Sequence, residues 1–251
     1  MTALNQDRIL YYDLHIHSCL SPCADDDMTV NNIANMAKLC GLDIIALTDH
    51  NSLKNCPAFF RACAHAGVIP VAGVEVCTRE EVHVLCLFDQ LDAAMDFDVF
   101  LSSILPEIEN RCDIFGRQLI LDESDNIVAE ESRLLISACD IAIDELYDLA
   151  YQYNGIAIPA HIEKPSNSLI ANLGFIPEDF KFPCYEMKNP ARLSDLVGLS
   201  PTLSQKRIIC NSDAHTLTDI SERFHQICVS DNSAKGLIAS LRSAKSCINL
   251  L

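Results

Sequence analysis

Short apolar runs alternate with amphipathic stretches over the first ninety residues of the chain. The runs at 9–14, 43–47 and 68–74 have the length and apolar content of buried strands. Between them, residues 30–40 and 52–66 place apolar side chains at helical spacing, and both stretches end near a glycine. This alternation predicts βαβ units and a parallel sheet.

Side chains that can bind metals stand where these apolar runs end. His15 and His17 follow the first run, Asp49 and His50 follow the second, and Glu75 follows the third. Because the loops after the strands of an α/β barrel build its site, we expect these groups to meet at one rim. Buried imidazoles and carboxylates gathered in one place are satisfied by metal ions.

The same pattern returns in the second half of the chain. Strand-like segments are expected at 155–161, 183–187, 207–211 and 226–229, followed by an amphipathic helix at about 233–244 that packs Leu237, Ile238 and Leu241. His161 ends the first of these segments, and Asp213 and His215 follow the third. His15 and His17 have the same two-residue spacing, which puts both side chains on one side of a strand. Two such pairs predict a multinuclear metal site.

The middle of the chain interrupts this rhythm. We expect a helix at about 98–115, a hairpin with a polar turn at 117–130 and a further helix at about 143–153. Residues 92–140 are interpreted as an insertion or cap over the barrel rim. The alternative is an ordinary barrel helix followed by a long loop.

Length and composition favour one large α/β domain over residues 1–251, with ample apolar content at 49% hydrophobic residues. No apolar window approaches the ~18 residues of a membrane span, and the N-terminus lacks the pattern of a secretion signal. Most of the 13 cysteines lie inside apolar runs, which is typical of buried thiols in a reducing compartment. We therefore expect a cytoplasmic protein. Cys19 and Cys23 lie close to the first histidine pair, and packing or loop structure is favoured over metal binding for both.

The charge balance limits the classes of molecule that the protein can bind. With 18 basic and 35 acidic residues, the net charge is −17. Such a surface repels anionic membranes and argues against extended nucleic-acid binding. Bound divalent cations would cancel several of these charges locally, so a small phosphorylated substrate remains compatible. Nothing in the sequence indicates an oligomeric state.

The ligand types indicate both the metal and the reaction. Imidazoles combined with carboxylates suit Zn, Mn or Fe rather than Ca or Mg. Two such ions about 3.5–4 Å apart suit the hydrolysis of phosphate esters, and Glu75 could bridge them. The sequence contains no nucleophile elbow, P-loop or dinucleotide-binding glycine pattern to favour another reaction.

The order of these motifs resembles the PHP (polymerase and histidinol phosphatase) superfamily over about residues 12–215. The motifs are His15-x-His17, Thr48-Asp49-His50, Gly73-Val74-Glu75, His83, His161 and Asn211-Ser212-Asp213-Ala214-His215. The resemblance implies a distorted (β/α)7 TIM-like barrel. It also implies two or three divalent transition-metal ions, Mn, Fe or Zn, which hydrolyse phosphoesters through an activated water.

The resemblance further implies three overlapping metal sites. The first takes His15, His17, Glu75 and Asp213; the second takes Glu75, His83 and His161; the third takes His50, His215 and an acidic or imidazole group after the first motif. Asp25 is favoured for the last place over Asp26, although three consecutive aspartates also suit a solvated turn. Catalysis, through bound metal and water, is expected to depend on His15, His17, Glu75, Asp213 and His215.

Basic residues are scarce, so those near strand ends are the candidate substrate contacts. These are Lys164, Lys188 and Arg192, with ordinary surface charge as the alternative. Asp49 is expected to orient a metal ligand from behind rather than to bind the metal itself.

These observations favour a metal-dependent phosphatase or phosphodiesterase acting on a small phosphorylated molecule, with a nucleotide as one candidate. One alternative is a nuclease that acts on nucleic-acid ends. The other is a regulatory metal-binding module without turnover.

Overall fold

A computed structural model describes residues 8–243 of the chain, which form a mixed α/β fold. The strands are β1 (Arg8–Ile16), β2 (Ile44–Leu47), β3 (Ile69–Cys77), β4 (His83–Phe88), β5 (Leu119–Leu121), β6 (Ile127–Glu130), β7 (Gly155–Pro159), β8 (Cys184–Glu186), β9 (Arg207–Ile209) and β10 (Gln226–Val229). The α-helices are α1 (Val30–Leu39), α2 (Cys56–Ala66), α3 (Leu91–Ile104), α4 (Cys112–Phe115), α5 (Ile143–Gln152), α6 (Leu169–Leu173), α7 (Leu193–Leu199) and α8 (Ala234–Arg242). Short 3-10 turns lie at Pro190–Arg192, Pro201–Gln205 and Leu217–Asp219.

The main sheet has six strands in the order β10-β1-β2-β3-β4-β7. Its first half is parallel as predicted, because β1, β2 and β3 run in one direction. The remaining strands of this sheet do not all share that direction: β4 is antiparallel to β3 and β7, and β10 is antiparallel to β1. The connection from β3 to β4 is too short for a crossover helix, so the chain turns back at the rim. His83 at the start of β4 therefore lies at the rim where β3 and β7 end.

A second, two-stranded sheet of β8 and β9 completes the curl. The amide of Ile162, after β7, donates to the carbonyl of Glu186 on β8 at 3.0 Å. On the other side, the amide of His17 donates to the carbonyl of Ala214, after β9, also at 3.0 Å. The sheet thus curls around on itself, and the fold class is confirmed as a distorted TIM-like barrel.

The interior of the barrel is filled by apolar side chains, and α8 closes it at the end opposite the rim. Leu237, Ile238 and Leu241 are fully buried in the same apolar cluster as Leu85 of β4 and Ile158 of β7, which confirms the predicted apolar face of this helix. The side chain of Arg242 donates to the carbonyl of Gly155 at the start of β7. The predicted end of this helix at Ala244 falls outside the described residues.

Helices α1 and α2 cover the outer face of β1, β2 and β3. Thr29 caps α1, since its side chain accepts from the amide of Asn32. Gly67 ends α2 in the left-handed conformation at φ +78°, which glycine adopts without strain. Helix α2 begins at Cys56 rather than at residue 52, and Pro57 lies in its first turn. The residues before it belong to the rim.

The middle segment divides into two parts. Helix α3 belongs to the barrel, because Phe97 packs against Phe88 of β4 with ring centroids 4.9 Å apart. The helix predicted at 98–115 is confirmed only in part: α3 ends at Ile104, since Pro106 forces the chain into an extended conformation at Leu105, and α4 follows at Cys112–Phe115. The predicted hairpin is confirmed as β5 and β6. It lies on the loop after β1, where the Leu119 amide donates to the Cys19 carbonyl at 2.9 Å.

Within residues 8–243, no helix is long and apolar enough to cross a membrane.

Candidate metal centre

Strand β1 changes which of its side chains face the barrel interior just before it reaches the rim. Tyr12 and Leu14 lie in the inner apolar cluster, whereas Ile16 lies in the outer one. Between them the pairing of β1 with β2 shifts register, which is the mark of a β-bulge. The shift turns His15 inward directly after Leu14, and His17 follows it. Their Nε2 atoms lie 3.1 Å apart, as a chelating pair requires.

The carboxylate of Glu75 stands at the centre of the rim and is 1% exposed. Its nearest imidazole nitrogens are His83 Nδ1 at 2.9 Å, His50 Nδ1 and His161 Nε2 at 3.1 Å, His15 Nε2 at 3.3 Å and His17 Nε2 at 3.4 Å. Both carboxylate oxygens take part in these contacts. A single carboxylate surrounded in this way can bridge two cations.

Asp213 approaches the first histidine pair from the other side of the curl. Its Oδ1 lies 3.4 Å from His15 Nε2 and 3.6 Å from His17 Nε2. The backbone of Asp213 has φ +53°, and that of His161 has φ +30°. Left-handed conformations are uncommon outside glycine, and here they occur at two residues that aim side chains into the cluster.

The donor set fits divalent cations. Three groups have ligand atoms within 4.8 Å of one another, namely His15/His17/Asp213, His50/Glu75/His83 and His17/His50/His215. At the centre, His50 Nδ1 and Glu75 Oε2 are buried without a hydrogen-bond partner, although they face each other at 3.1 Å. Buried polar atoms are nearly always satisfied. These two facing atoms are therefore available to a shared ion.

Glu186 supports two ligands from behind and is absent from the predicted site. Its carboxylate oxygens both lie 3.0 Å from His15 Nδ1, and it accepts from the His161 amide at 2.8 Å. The Asn211 side chain also donates to it, at 2.6 Å. A proton on His15 Nδ1 shared with Glu186 leaves Nε2 free for the cluster. Its position in the strand predicted at 183–187 is the feature of the sequence that could have identified it.

Asp49 acts on the cluster through Ser21. The Ser21 hydroxyl donates to Asp49 Oδ1 at 2.7 Å and lies 3.0 Å from His17 Nδ1. Ser18 donates to the same carboxylate through its amide and its hydroxyl, both at 2.6 Å. This network fixes the His17 ring with Nε2 toward the other ligand atoms. The side-chain amide of Asn167 contacts His83 Nε2 at 2.8 Å in a comparable way. Sequence reasoning missed both Ser21 and Asn167.

The carboxylates and imidazoles set each other's protonation. Burial acts to raise the pKa of Glu75, but the charges of His83, His15 and His50 hold that pKa well below its usual value. Burial likewise acts to raise the pKa of Asp213, and the His15 charge with a hydrogen bond to His17 lowers it strongly. Both groups are therefore ionised at neutral pH, as metal ligands must be.

The imidazoles respond in opposite directions. Burial works to lower the pKa of His15, yet Glu186, Glu75 and Asp213 raise it well above its usual value. The pKa of His50 rises to about 10, because Glu75 and a hydrogen bond from Cys23 outweigh burial. Burial lowers the pKa of His17 and of His83. Without metal, protons on His15 and His50 partly balance the carboxylates.

On the open side of the cluster, Asp25 as a ligand of the third site stays a prediction. The Asp25 amide donates to the His215 carbonyl at 3.0 Å, but the Asp25 carboxylate is exposed and stands outside the three converging groups found among residues 8–243. The thiol of Cys23, which also stands outside those three groups, interacts electrostatically with both His50 and His215. Burial alone would raise its pKa, but the hydrogen bonds and charges of these histidines lower it to about 6.

Two of the three predicted substrate contacts reach the cluster. Lys164 Nζ lies 2.7 Å from Asp213 Oδ2, and Lys188 Nζ lies 3.6 Å from the same atom. Arg192 does not reach it: its exposed side chain donates to the carbonyl of Glu163 at 3.4 Å.

A comparison with known families shows which family has this fold. The PHP domain family matches residues 13–158, more than half of the chain. The chain belongs to the PHP domain family. The match includes the first histidine pair, His50, Glu75 and His83. His161, Asp213 and His215 follow it in the sequence, and the fold brings them to the same rim.

The alignments with individual relatives span only part of this PHP chain or part of the relative. The DNA polymerase III subunit alpha of Borreliella burgdorferi is 35% identical over 68 residues, which are 27% of this chain and 6% of the polymerase subunit. Among solved structures, the lesion-specific endonuclease PfuEndoQ from Pyrococcus furiosus has a TM-score of 0.70 at 19% identity, covering 94% of this chain and 56% of that one.

A protein assigned as a metal-dependent phosphoesterase from Bifidobacterium adolescentis has a TM-score of 0.55 at 15% identity, covering 84% of this chain and 89% of that one. At these identities the two structural likenesses concern the fold. The chain spans little more than half of the endonuclease and a small fraction of the polymerase subunit.

Proposed function

We propose that this PHP domain hydrolyses phosphate esters with two or three divalent transition-metal ions bound at the barrel rim. The observation that carries the proposal is Glu75, a buried carboxylate with five imidazole nitrogens between 2.9 and 3.4 Å from its oxygens. One of its oxygens and the facing nitrogen of His50 have no hydrogen-bond partner. Such a set suits Mn, Fe or Zn.

The proposed ligands form three overlapping sets. His15, His17, Glu75 and Asp213 would hold one ion; Glu75, His83 and His161 would hold a second; His50 and His215 would take part in a third. Glu186 and Asp49 would keep the ligand rings in place from behind. When bound, the ions supply positive charge that polarises the phosphoryl oxygens and lowers the pKa of a water.

The chain's own residues would position the substrate. Lys164 and Lys188 both lie at Asp213, half-exposed, and can turn their ammonium groups toward a phosphoryl group at the rim. Asp213 would then contact the ions through Oδ1, the oxygen nearer His15 and His17. Because these are among few positive charges on a chain of net charge −17, an anionic group is directed to this place.

We propose a small phosphorylated molecule as the substrate, with a nucleotide as one candidate. Two lysines on one side of the rim suit a single phosphoryl group better than a long phosphate backbone, which needs many cationic contacts. A cytoplasmic location is proposed with it, supported by cysteines such as Cys56, Cys63 and Cys86. They are buried in the apolar core, where burial raises the pKa of each thiol.

A nuclease is the second candidate, favoured by the likeness to the lesion-specific endonuclease over 94% of this chain. The net charge of −17 weighs against a long duplex contact. A short single strand or a damaged nucleotide turned out of a duplex would still need only a small anionic site.

The test is a hydrolysis panel with the full chain loaded with Mn, Fe(II) or Zn, and with bound metal counted in the same samples. The panel includes nucleoside monophosphates, 3′,5′-bisphosphates, histidinol phosphate, short single strands and a duplex with an abasic site. Turnover of a small ester that depends on His17 and Asp213 would support the first candidate. Cleavage confined to polynucleotides would replace it with the second, and a metal-loaded protein inert toward all of them would contradict both.

A further inference from the structure

The open side of the cluster carries a thiol to which the proposed function gives no role. The thiol of Cys23 interacts electrostatically with His50 and His215. One ring nitrogen of each of His17, His50 and His215 lies within 4.8 Å of the other two. The thiol therefore stands beside imidazoles that are close enough together to hold one ion.

The loop that carries Cys23 is fixed on both sides. Before it, the Ser21 hydroxyl accepts from the His50 amide at 3.1 Å, and the Ser21 carbonyl accepts from Ala24 at 3.0 Å. After it, the Asp25 amide donates to the His215 carbonyl. Gly116 packs so closely on the Pro22 carbonyl that no side chain would fit there. The contacts of the neighbouring residues thus fix the position of Cys23.

A second observation, at His50, also indicates a cation. His50 is 5% exposed, and its Nδ1 has no hydrogen-bond partner. The nearest carboxylate oxygen, Glu75 Oε2, lies 3.1 Å away outside hydrogen-bond geometry and is itself without a partner. Buried polar atoms in this condition call for a ligand that bonds to both. The thiol lies against the same imidazole.

We propose that Cys23 binds, as a thiolate, the ion held by His50 and His215. The inference rests on the metal-binding part of the proposed function but does not require turnover. On binding, the thiol gives up its proton to solvent and the sulfur donates an electron pair to the ion. A set of imidazoles and a thiolate favours Zn(II) or Co(II), whereas the Glu75 side offers only nitrogen and oxygen. The two sides of the cluster would then differ in metal preference.

The experiment is an anaerobic titration of the metal-free full chain with Co(II), followed by near-ultraviolet absorption and by counting bound Co(II). A thiolate bound to Co(II) gives a charge-transfer band that nitrogen and oxygen ligands do not give. Wild type, Cys112→Ser and Asp25→Asn are expected to show the band. Cys112→Ser is the matched control because Cys112 is also exposed.

Cys23→Ser is expected to lose the band and to bind one Co(II) fewer per chain, with unchanged circular dichroism. Cys23→Asp is expected to regain the ion without the band, since a carboxylate replaces the thiolate. A band that persists in Cys23→Ser would overturn the inference, as would loss of the ion in Asp25→Asn. Wild-type protein that binds Co(II) without the band would overturn it and leave the proposed function standing, whereas no Co(II) binding at all would overturn both.

Discussion

The two sides of the metal centre are built differently. On the Glu75 side, the ligands stand on strands or just after their ends and are largely buried: Glu75 and His15 are at most 1% exposed, and Glu186 holds His15 and His161 in place. On the open side, His215 has a side chain 28% exposed and is reached by the loop that carries Cys23. Buried ligands held by strands give a fixed metal geometry, while ligands on loops leave space at the rim for a substrate.

The largest loss of activity is expected from Glu75→Gln, on the buried side. An amide cannot balance the charge of two ions, and several kcal/mol of charge stabilisation correspond to a loss of ~1000-fold in turnover. We expect kcat for the best phosphoester to fall by that order and bound metal to fall by at least one ion per chain. Glu123→Gln, an exposed carboxylate on the hairpin, is the control and should leave both unchanged. Full activity in Glu75→Gln would remove Glu75 from the centre.

Glu186→Gln tests whether the buried side depends on support from behind. Losing the charge that faces His15 Nδ1 is expected to weaken metal binding by about 10- to 100-fold without removing a ligand. Competition with a chelator measures this affinity. Glu178→Gln, an exposed carboxylate, serves as the comparison. Equal affinity in both variants would show that Glu186 is not needed to orient the ring.

Lys164→Met and Lys188→Met probe the open side. Each removes a positive charge near Asp213, so KM is expected to rise, by about 10-fold for Lys164 and by less for the more exposed Lys188. Bound metal should stay constant, and Lys181→Met, whose charge pairs with Asp148, should change neither quantity. An unchanged KM in both variants would contradict their role in phosphate binding.

The smallest effect is expected from pH, which acts on ligands of both sides. His15 and His50 have pKa values raised above the usual one, about 10 for His50, so both carry protons at pH 7 in the metal-free protein. Metal must displace those protons, and its affinity should therefore fall as pH is lowered. Calorimetry in buffers of different ionisation enthalpy would measure proton release. Binding without proton release at pH 7 would contradict these assignments.

Much of the buried side could be predicted, because its ligands follow apolar runs at fixed spacing. His15, His17, His50, Glu75, His83, His161 and Asp213 all reach the rim. Glu186 stands in β8, which was predicted, but it was missed because its carboxylate acts through other residues. The bulge in β1 that turns His15 inward depends on pairing with β2, which the sequence of β1 does not reveal.

The open side was harder to predict, because loops obey no simple period. Asp25 was chosen for its charge and its position in the sequence, yet the turn beginning at Ser21 directs Cys23 toward His50 and His215. Strand direction was a similar difficulty: a short connection reverses β4, and that reversal brings His83 to the rim. The interpretation of residues 92–140 as a cap stays a prediction.

The most direct measurement of the central claim is a crystal structure of the full chain grown with Mn or Zn, with anomalous diffraction recorded at the absorption edge of the metal. Two or three anomalous peaks are expected at the rim. One should lie among His15, His17 and Asp213, and one should lie beside Glu75, His83 and His161. Metal-loaded crystals without a peak at these residues, or with peaks only elsewhere on the surface, would contradict the claim that this rim is a metal centre.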